Sequence, residues 1–205
     1  MLSPDHARFL LNIPKNASSY LSSWGMTLGW SATSCKNLPA DVQEMCVILR
    51  DPVDRWISGV AQYVNGYILH VQAHDARRGV LDQYVTADTF IQSYNMIVER
   101  LIFDQINRLD DHVWPQSELC ADVCVGMPRR YIMMDPAFDQ NISQYFGAEP
   151  MPDLYRNSGS DNPDQQALQE FLRDRLVKRP ELRERVIKAY ASDYDFIERA
   201  MNEMV

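Results

Sequence analysis

A short buried run, a polar turn and a helix follow one another twice near the start of the chain, and this pattern constrains the fold most. Phe9–Ile13 is apolar except for Asn12, and it is followed by Pro14, which cannot donate in a strand ladder. Ser18 and Ser19 are residues that favour helix caps, and they precede apolar residues at helical spacing, namely Tyr20, Leu21, Trp24 and Leu28. The segment therefore predicts a buried strand, a loop and a helix.

The second occurrence begins at Met45–Leu49, an apolar run that is partly β-branched. After Arg50, apolar residues again recur at helical spacing, namely Trp56, Ile57, Val60 and Val64. Asp51 is suited to cap this helix, and Pro52 suits its first turn, where no amide donor is required. A second strand, turn and helix are predicted here.

The remaining segments supply a third strand and further helices. We predict a long amphipathic helix from Thr86 to about Arg108, a loop over 109–128, a strand at Tyr131–Met134, a helix at Phe138–Phe146 that ends near Gly147, a loop over 150–164, and two closing helices over 163–177 and 180–203 that Pro180 separates.

Strands that alternate with helices indicate an α/β fold with a small, mainly parallel sheet flanked by helices. A chain of 205 residues is long enough for one domain with a substantial core, so we predict a single domain over residues 1–205. Ligands of such folds bind at the carboxyl ends of the strands, which is where both polar turns lie.

The charge balance excludes one broad class of function. The net charge is −8 and the sequence pI is about 4.9, whereas general nucleic-acid binding needs a broad basic surface, so no nucleic-acid partner is expected. The sequence contains no run of about twenty apolar residues, which is the length that a membrane span needs. The N-terminal segment lacks the basic region of a signal peptide. We expect a cytoplasmic or otherwise soluble protein.

The cysteine pattern gives little support for a metal site. The chain has four cysteines, and only Cys120 and Cys124 are closely spaced, without the second pair that a zinc site would need. Structural thiols or one local disulfide are the alternatives that remain open. We predict no metal.

The loop Pro14-Lys15-Asn16-Ala17-Ser18-Ser19 has the composition of an anion site. The first amides of a helix have no intrahelical partner, the helix dipole adds positive charge, and Lys15 adds a full charge. Ala17 keeps the wall of the loop small. A simple capped helix with an exposed lysine is the alternative, and the loop is not a Walker A motif because the two glycines and the Lys-Ser order are missing.

A second candidate anion site follows the second strand. Arg50 ends that strand and could grip a phosphate with a forked pair of hydrogen bonds, and Ser58, two turns into the next helix, could donate one more. Arg55 and Asp54 are interpreted as a solvated or structural ion pair.

Together the two segments resemble those of sulfotransferases. PKNASSYL (residues 14–21) resembles the P-K-x-[AG]-[ST]-[ST]-x-L loop that binds the 5'-phosphosulfate of 3'-phosphoadenosine 5'-phosphosulfate (PAPS) in that family. VILRDPVDRWISG (residues 47–59) resembles the R-D-P-x-x-R-x-x-S segment for the 3'-phosphate. The resemblance implies a P-loop-like sulfotransferase fold, with PAPS as co-substrate and no metal.

Further segments resemble the Golgi-type carbohydrate sulfotransferases most closely. HVWPQSELC (residues 112–120) with Cys124 is similar to an H-W-x-P-x-x-x-L-C-x-x-C segment, with Trp114 shifted by one, and residues 190–196 are similar to the closing Y-x-x-D-Y-x-x-F helix. Arg156 and Asn157 resemble part of a late loop that closes over the nucleotide. A Golgi-lumenal location would require an anchor outside the given residues.

The resemblance implies a role for each site residue. Lys15 would stabilise charge on the oxygen between sulfur and phosphorus, while Asn16, Ala17, Ser18 and Ser19 bind the 5'-phosphate. The acceptor hydroxyl needs a base, for which His112 is the first candidate and His70 and His74 are the alternatives. The acceptor would be a small molecule or a glycan, and the acidic balance favours a neutral or modestly charged sugar.

Two other functions remain as hypotheses, a phosphotransferase that uses a related loop and a non-catalytic nucleotide-binding module. The missing Walker pattern counts against the first, and the presence of Lys15 with both anion segments counts against the second. The sequence makes no prediction of the oligomeric state.

Overall fold

The computed structural model of the chain describes residues 1–69, 86–121, 123, 126–149 and 162–203. Its strands are β1 (Arg8–Leu11), β2 (Glu44–Leu49) and β3 (Arg129–Met133). The α-helices in the described ranges are α1 (Ser18–Thr27), α2 (Pro52–Tyr63), α3 (Ala87–Ser93), α4 (Met96–Asp104), α5 (Gln116–Ala121), α6 (Phe138–Phe146), α7 (Pro163–Lys178), α8 (Pro180–Ala189) and α9 (Ala191–Glu203). A 3-10 turn at Cys35–Asn37 and a π-helical segment at Val64–Leu69 complete the described elements.

The three strands form one parallel sheet in the order β1-β2-β3. Leu11 pairs with Val47, and Leu49 pairs with Met133, so the strands end at nearly the same level. The loop after β1 and the turn after β2 therefore leave adjacent strands at the same edge of the sheet.

The described chain folds into two compact units of interleaved segments. The first unit contains residues 1–51, 115–121, 123, 126–149 and 192–203, and with them the sheet and the helices α1, α5, α6 and α9. The second unit contains residues 52–69, 86–114 and 162–191, and with them α2, α3, α4, α7 and α8.

Both faces of the sheet in the first unit are covered by helices. Alternate strand residues such as Leu10 and Ile48 pack with Trp24 of α1 and Phe146 of α6. The intervening residues, of which Val47 is one, belong to a separate cluster that includes residues of α5 and α9. A parallel sheet that is buried on both faces has continuous apolar strands, which explains the unbroken run of β2.

The second unit is a helical bundle around α2. Trp56 is fully buried and its indole nitrogen donates to the carbonyl of Ile106 at 3.0 Å. Leu168 and Leu172 of α7 pack into the same core at the four-residue spacing of one helix face. Glu99 of α4, also buried, accepts a 2.7 Å hydrogen bond from Nε of Arg175 on α7.

The α/β class and the small parallel sheet flanked by helices are confirmed. The predicted end of α6 is also confirmed, because Gly147 adopts the left-handed conformation (φ 69°) there. The helix break at Pro180 and the start of α2 at Pro52 are as predicted. None of the described helices is both long enough and apolar enough to cross a bilayer. The assignment of residues 1–205 to a single domain stays a prediction.

The prediction of a single helix from Thr86 to Arg108 is wrong. Tyr94 has extended backbone (ψ 119°), and the side chain of Asn95 accepts from the amides of Ile97 and Val98. Asn95 therefore begins a new helix, since an asparagine that caps the following turn competes with helix continuation.

Two more predictions of helix boundaries are wrong. The segment 109–128, predicted as a loop, contains α5, whose first amides are bound by the Asp193 side chain. The closing helix over 180–203 is divided at Tyr190, which is fully buried and donates its hydroxyl to the carbonyl of Val113. Both differences come from tertiary contacts that local periodicity does not encode. Of the predicted loop over 150–164, residues 150–161 lie outside the described residues.

Candidate active site

The loop between β1 and α1 has unusual backbone geometry. Lys15 (φ 68°) and Ala17 (φ 56°) both lie in the left-handed region, which costs a non-glycine residue about 1–2 kcal/mol. The turn is closed by a 3.1 Å hydrogen bond from the amide of Asn16 to the carbonyl of Ile13. Left-handed backbone at non-glycine positions clusters at ligand-binding sites, and this loop holds two of the three such residues that the structure describes.

Ser18 and Ser19, predicted as caps of α1, are instead its first helical residues. Ala17 occupies the cap position, and among the described residues no side chain caps this helix. Ser18 is half-buried and Ser19 is exposed. The first amides of α1 have no intrahelical partner, so this helix start presents donors and positive dipole to an anion.

Asn16 points inward from the same loop. Its side chain is buried, and Nδ2 donates to the carbonyl of Ile48 at 2.7 Å and to Oε1 of Gln116 at 2.5 Å. Its Oδ1 has no hydrogen-bond partner among the described residues. The amide group of Asn16 therefore ties the loop after β1 to the end of β2.

Gln116 is a buried polar residue that the sequence analysis did not identify as part of the site. It is 0% exposed, its Nε2 donates to the carbonyl of Arg50 at 2.8 Å, and its Oε1 accepts from the amide of Arg50 at 3.0 Å. The available signal was its place in the HVWPQSELC segment, but the region was predicted to be a loop, in which a glutamine is normally solvated.

Arg50 contacts the loop after β1 inside the first unit. Its Nη1 donates to the carbonyl of Lys15 at 2.9 Å, so its guanidinium lies against the loop that carries the lysine. Both residues are half-buried. The structure thus brings together Lys15, Asn16 and Arg50, which are predicted to hold the two phosphate groups of one ligand.

Asp193 anchors the start of α5 in the same unit. Its carboxylate is fully buried and accepts from the amides of Gln116 and Ser117, each at 2.9 Å, and from the hydroxyl of Ser117 at 2.7 Å. A carboxylate at a helix N-terminus is favoured by the helix dipole. Gln116 is consequently held at both its backbone and its side chain.

Ser58 belongs to the second unit and is buried on α2. The next residue, Gly59, is in close contact with the segment that carries His112: a Cβ at position 59 would lie 2.7 Å from the carbonyl oxygen of His112. Only glycine fits this contact without displacing backbone. The position of Gly59 in the motif-like segment 47–59 therefore has a packing reason inside the second unit.

His112 forms a close pair with a carboxylate. Its Nδ1 lies 3.0 Å from Oδ2 of Asp110, and its backbone amide donates to Oδ1 of the same residue at 2.9 Å. A carboxylate can only accept, so this contact favours the tautomer with the proton on Nδ1, in which Nε2 is the nitrogen that can accept a proton. The side chain is 32% exposed.

Asp111 also lies near this imidazole, with Oδ1 at 3.2 Å from Nδ1. Within the described ranges, Asp110, Asp111 and His112 are the one group of three side chains whose ligand atoms lie within 4.8 Å of one another. Two carboxylates and an imidazole are possible metal ligands, and the predicted absence of a metal stays a prediction.

The backbone carbonyls after His112 are bound by buried side chains. Val113 accepts from the hydroxyl of Tyr190, and Trp114 accepts from Nη1 of Arg55. Arg55 is 0% exposed, so of the two alternatives for this residue, solvated or structural, burial favours the structural one. Its long side chain fixes backbone through charge-assisted hydrogen bonding.

Several predicted residues lie outside the described part of the chain. These are His70, His74, Arg156, Asn157 and Cys124. Cys120 is buried, and both alternatives for it, a structural thiol and a local disulfide with Cys124, stay open. On β2, burial raises the pKa of the Cys46 thiol, as expected for a structural thiol.

A parallel sheet, a basic loop that opens a helix and an arginine that contacts this loop define an α/β protein with a candidate anion site at the carboxyl ends of its strands. The model of the sulfotransferase family matches residues 1–197. The chain belongs to the sulfotransferase family, and this membership identifies it as a transferase. No curated protein and no solved structure matches the chain.

Proposed function

We propose that the chain transfers a sulfuryl group from PAPS to a hydroxyl group of a carbohydrate. The observation that carries this proposal is the 2.9 Å contact between the guanidinium of Arg50 and the backbone of Lys15. It supports a site with two adjacent positive groups, as a donor with a phosphate at each end of its ribose requires. Family membership supports the reaction class.

The proposed reaction breaks the bond between sulfur and the oxygen that bridges it to phosphorus. A new bond forms between sulfur and the acceptor oxygen, and adenosine 3',5'-bisphosphate (PAP) leaves. Lys15 is proposed to stabilise the negative charge on the departing oxygen, and the amides and hydroxyls of Ser18 and Ser19 are proposed to hold the 5'-phosphate. Asn16 and Ala17 shape this loop. Positioning and electrostatic stabilisation dominate transfers of this kind.

Arg50 is proposed to bind the 3'-phosphate, with Ser58 as a further donor. His112 is proposed as the base that takes the proton of the acceptor hydroxyl at Nε2, with Asp110 holding the ring tautomer. The contacts inside each unit support the roles of Arg50 and His112, whereas the role of Ser58 is proposed from the resemblance. Arg156 and Asn157 stay proposed nucleotide contacts from the resemblance.

The acceptor is proposed to be a neutral or modestly charged sugar. The chain carries a net charge of −8, and long-range repulsion disfavours association with a long polyanionic glycan. Transfer to neutral oligosaccharides should therefore exceed transfer to heavily sulfated ones, and the difference should shrink as salt screens the repulsion.

A thermal-shift titration tests the donor site without knowledge of the acceptor. PAP should raise the melting temperature in proportion to the logarithm of its concentration, because it binds the native state, whereas ATP should give a smaller shift. A shift with ATP alone would favour a phosphotransferase and contradict the proposal. Lys36→Ala, which removes an exposed lysine within the 3-10 turn, is the control for general loss of positive charge.

A further inference from the structure

We propose that Gln116 is a positioning residue that sets the placement of the phosphate loop (residues 14–19, which follow β1 and include the first residues of α1) relative to Arg50. This inference rests on the proposed function. It concerns a side chain that need not touch the donor, since Gln116 is completely buried and all its observed hydrogen bonds are to other parts of the first unit.

The side-chain amide of Gln116 makes two hydrogen bonds to the backbone of Arg50. Nε2 donates to the carbonyl of Arg50 at 2.8 Å, and Oε1 accepts from its amide at 3.0 Å. A backbone carbonyl can only accept and a backbone amide can only donate, so the side-chain amide has one permitted orientation. The backbone at the end of β2 is thereby fixed.

The same oxygen of Gln116 also binds the phosphate loop. Oε1 accepts from Nδ2 of Asn16 at 2.5 Å, and this requires Asn16 to turn its NH₂ group towards Gln116 and the carbonyl of Ile48. Oδ1 of Asn16 is then left buried without a partner among the described residues. A buried unpaired acceptor is unfavourable, so stability alone does not account for this arrangement.

Gln116 is itself held firmly. Its backbone amide donates to the buried carboxylate of Asp193, which also binds Ser117. The order of attachment is therefore Asp193, then Gln116, then Asn16 and Arg50. Because Nη1 of Arg50 in turn donates to the carbonyl of Lys15, the placement of the two proposed anion-binding cations depends on one glutamine.

This arrangement predicts a specific defect when Gln116 is replaced. In the proposed site the loop alone binds the 5'-phosphate. The correct spacing between the loop and Arg50 is therefore needed only for a ligand that also has a 3'-phosphate. In Gln116→Met, which has a similar volume and no amide, the affinity for PAP should fall by about tenfold or more, while the affinity for 5'-AMP should change by less than about threefold.

The test is a calorimetric titration of the whole chain with PAP and with 5'-AMP, at a temperature well below the melting point of every variant. Gln165→Met is the matched control, because Gln165 is also buried but belongs to α7 in the second unit. It should retain the wild-type ratio of the two affinities. A role of Gln116 in stability alone would lower the melting temperature without changing that ratio.

Gln116→Glu provides a second variant if the methionine variant does not fold. Its carboxylate keeps both acceptor interactions but cannot donate to the carbonyl of Arg50, so the affinity ratio should fall by less than in Gln116→Met. If the wild type prefers PAP and both variants keep the full preference, the positioning role is overturned and the proposed function stands. If the wild type itself shows no preference for PAP, the proposed function is overturned and this inference falls with it.

Discussion

The two units fix the backbone near their candidate functional residues in different ways. In the first unit one side-chain oxygen, Oε1 of Gln116, accepts from both Asn16 and Arg50, so the hydrogen bonds share an atom. In the second unit separate donors hold separate carbonyls: Tyr190 binds that of Val113, and Arg55 binds that of Trp114.

This difference indicates how each region should respond to change. Mutations of groups that share one hydrogen-bond network have effects on stability that are not additive. Mutations of independent hydrogen bonds have effects that add. The polar network of the first unit is suited to setting the spacing of charges, because every member has a fixed orientation. The close packing at Gly59 is suited to holding one segment rigid.

The largest expected effect is at Lys15. Lys15→Ala should lower kcat by about 10³-fold, because it removes the cation that stabilises the leaving oxygen, while the fold is retained. Steady-state kinetics with PAPS measure this, and circular dichroism checks the fold. Lys36→Ala should keep full activity. An unchanged kcat in Lys15→Ala would exclude the leaving-group role.

The second largest effect is expected at His112, in the second unit. His112→Asn should lower kcat by about 10²-fold, since it removes the proposed general base while retaining a polar side chain. His6→Asn is the matched control because His6 is exposed and belongs to the first unit. If both variants retained wild-type kcat, His112 would not be the base, and His70 and His74 would be tested next.

Gly59→Ala sharpens the contrast between close packing and hydrogen bonding. The added Cβ would lie 2.7 Å from the carbonyl oxygen of His112, so the free energy of unfolding should fall by about 1–3 kcal/mol. Urea denaturation measures the change. Gly66→Ala should have little effect, because the nearest atom to its Cβ would be 3.7 Å away. Equal stabilities for the two variants would contradict the tight contact.

The smallest effect concerns the strained loop of the first unit. Ala17→Gly should raise the free energy of unfolding by about 1 kcal/mol, because glycine adopts the left-handed conformation without a Cβ penalty. Ala167→Gly, inside α7, should lower it by about 1 kcal/mol. Thermal or urea unfolding measures both changes. A loss of stability in Ala17→Gly would argue against strain at this position.

The sequence predicted those parts of the site that depend on local order. The apolar strands, the basic loop after β1 and the arginine after β2 are each encoded within a few neighbouring residues, so pattern and turn chemistry identify them. The sheet then places the two turns on adjacent strands, as its parallel class requires.

The connections between these parts could not be predicted in the same way. Gln116 lies 66 residues from Arg50 and 100 residues from Asn16, and Asp193 lies 77 residues beyond Gln116. No periodicity or spacing rule links residues at such separations. The break in the closing helix has the same origin, because Tyr190 binds a carbonyl 77 residues away. Hydrogen bonds between distant residues are therefore the reason that neither α5 nor the role of Gln116 was predicted.

The most direct test of the proposed activity measures the transfer of labelled sulfur from PAPS to a sugar. PAPS labelled with radioactive sulfur is incubated with the unmodified chain and a set of neutral and charged oligosaccharides, and labelled sugar and PAP are quantified in the same samples. We predict that label enters a neutral or modestly charged sugar and that one PAP is released for each sugar sulfated. Tight binding of PAP without transfer to any sugar would contradict the proposed carbohydrate sulfotransferase activity.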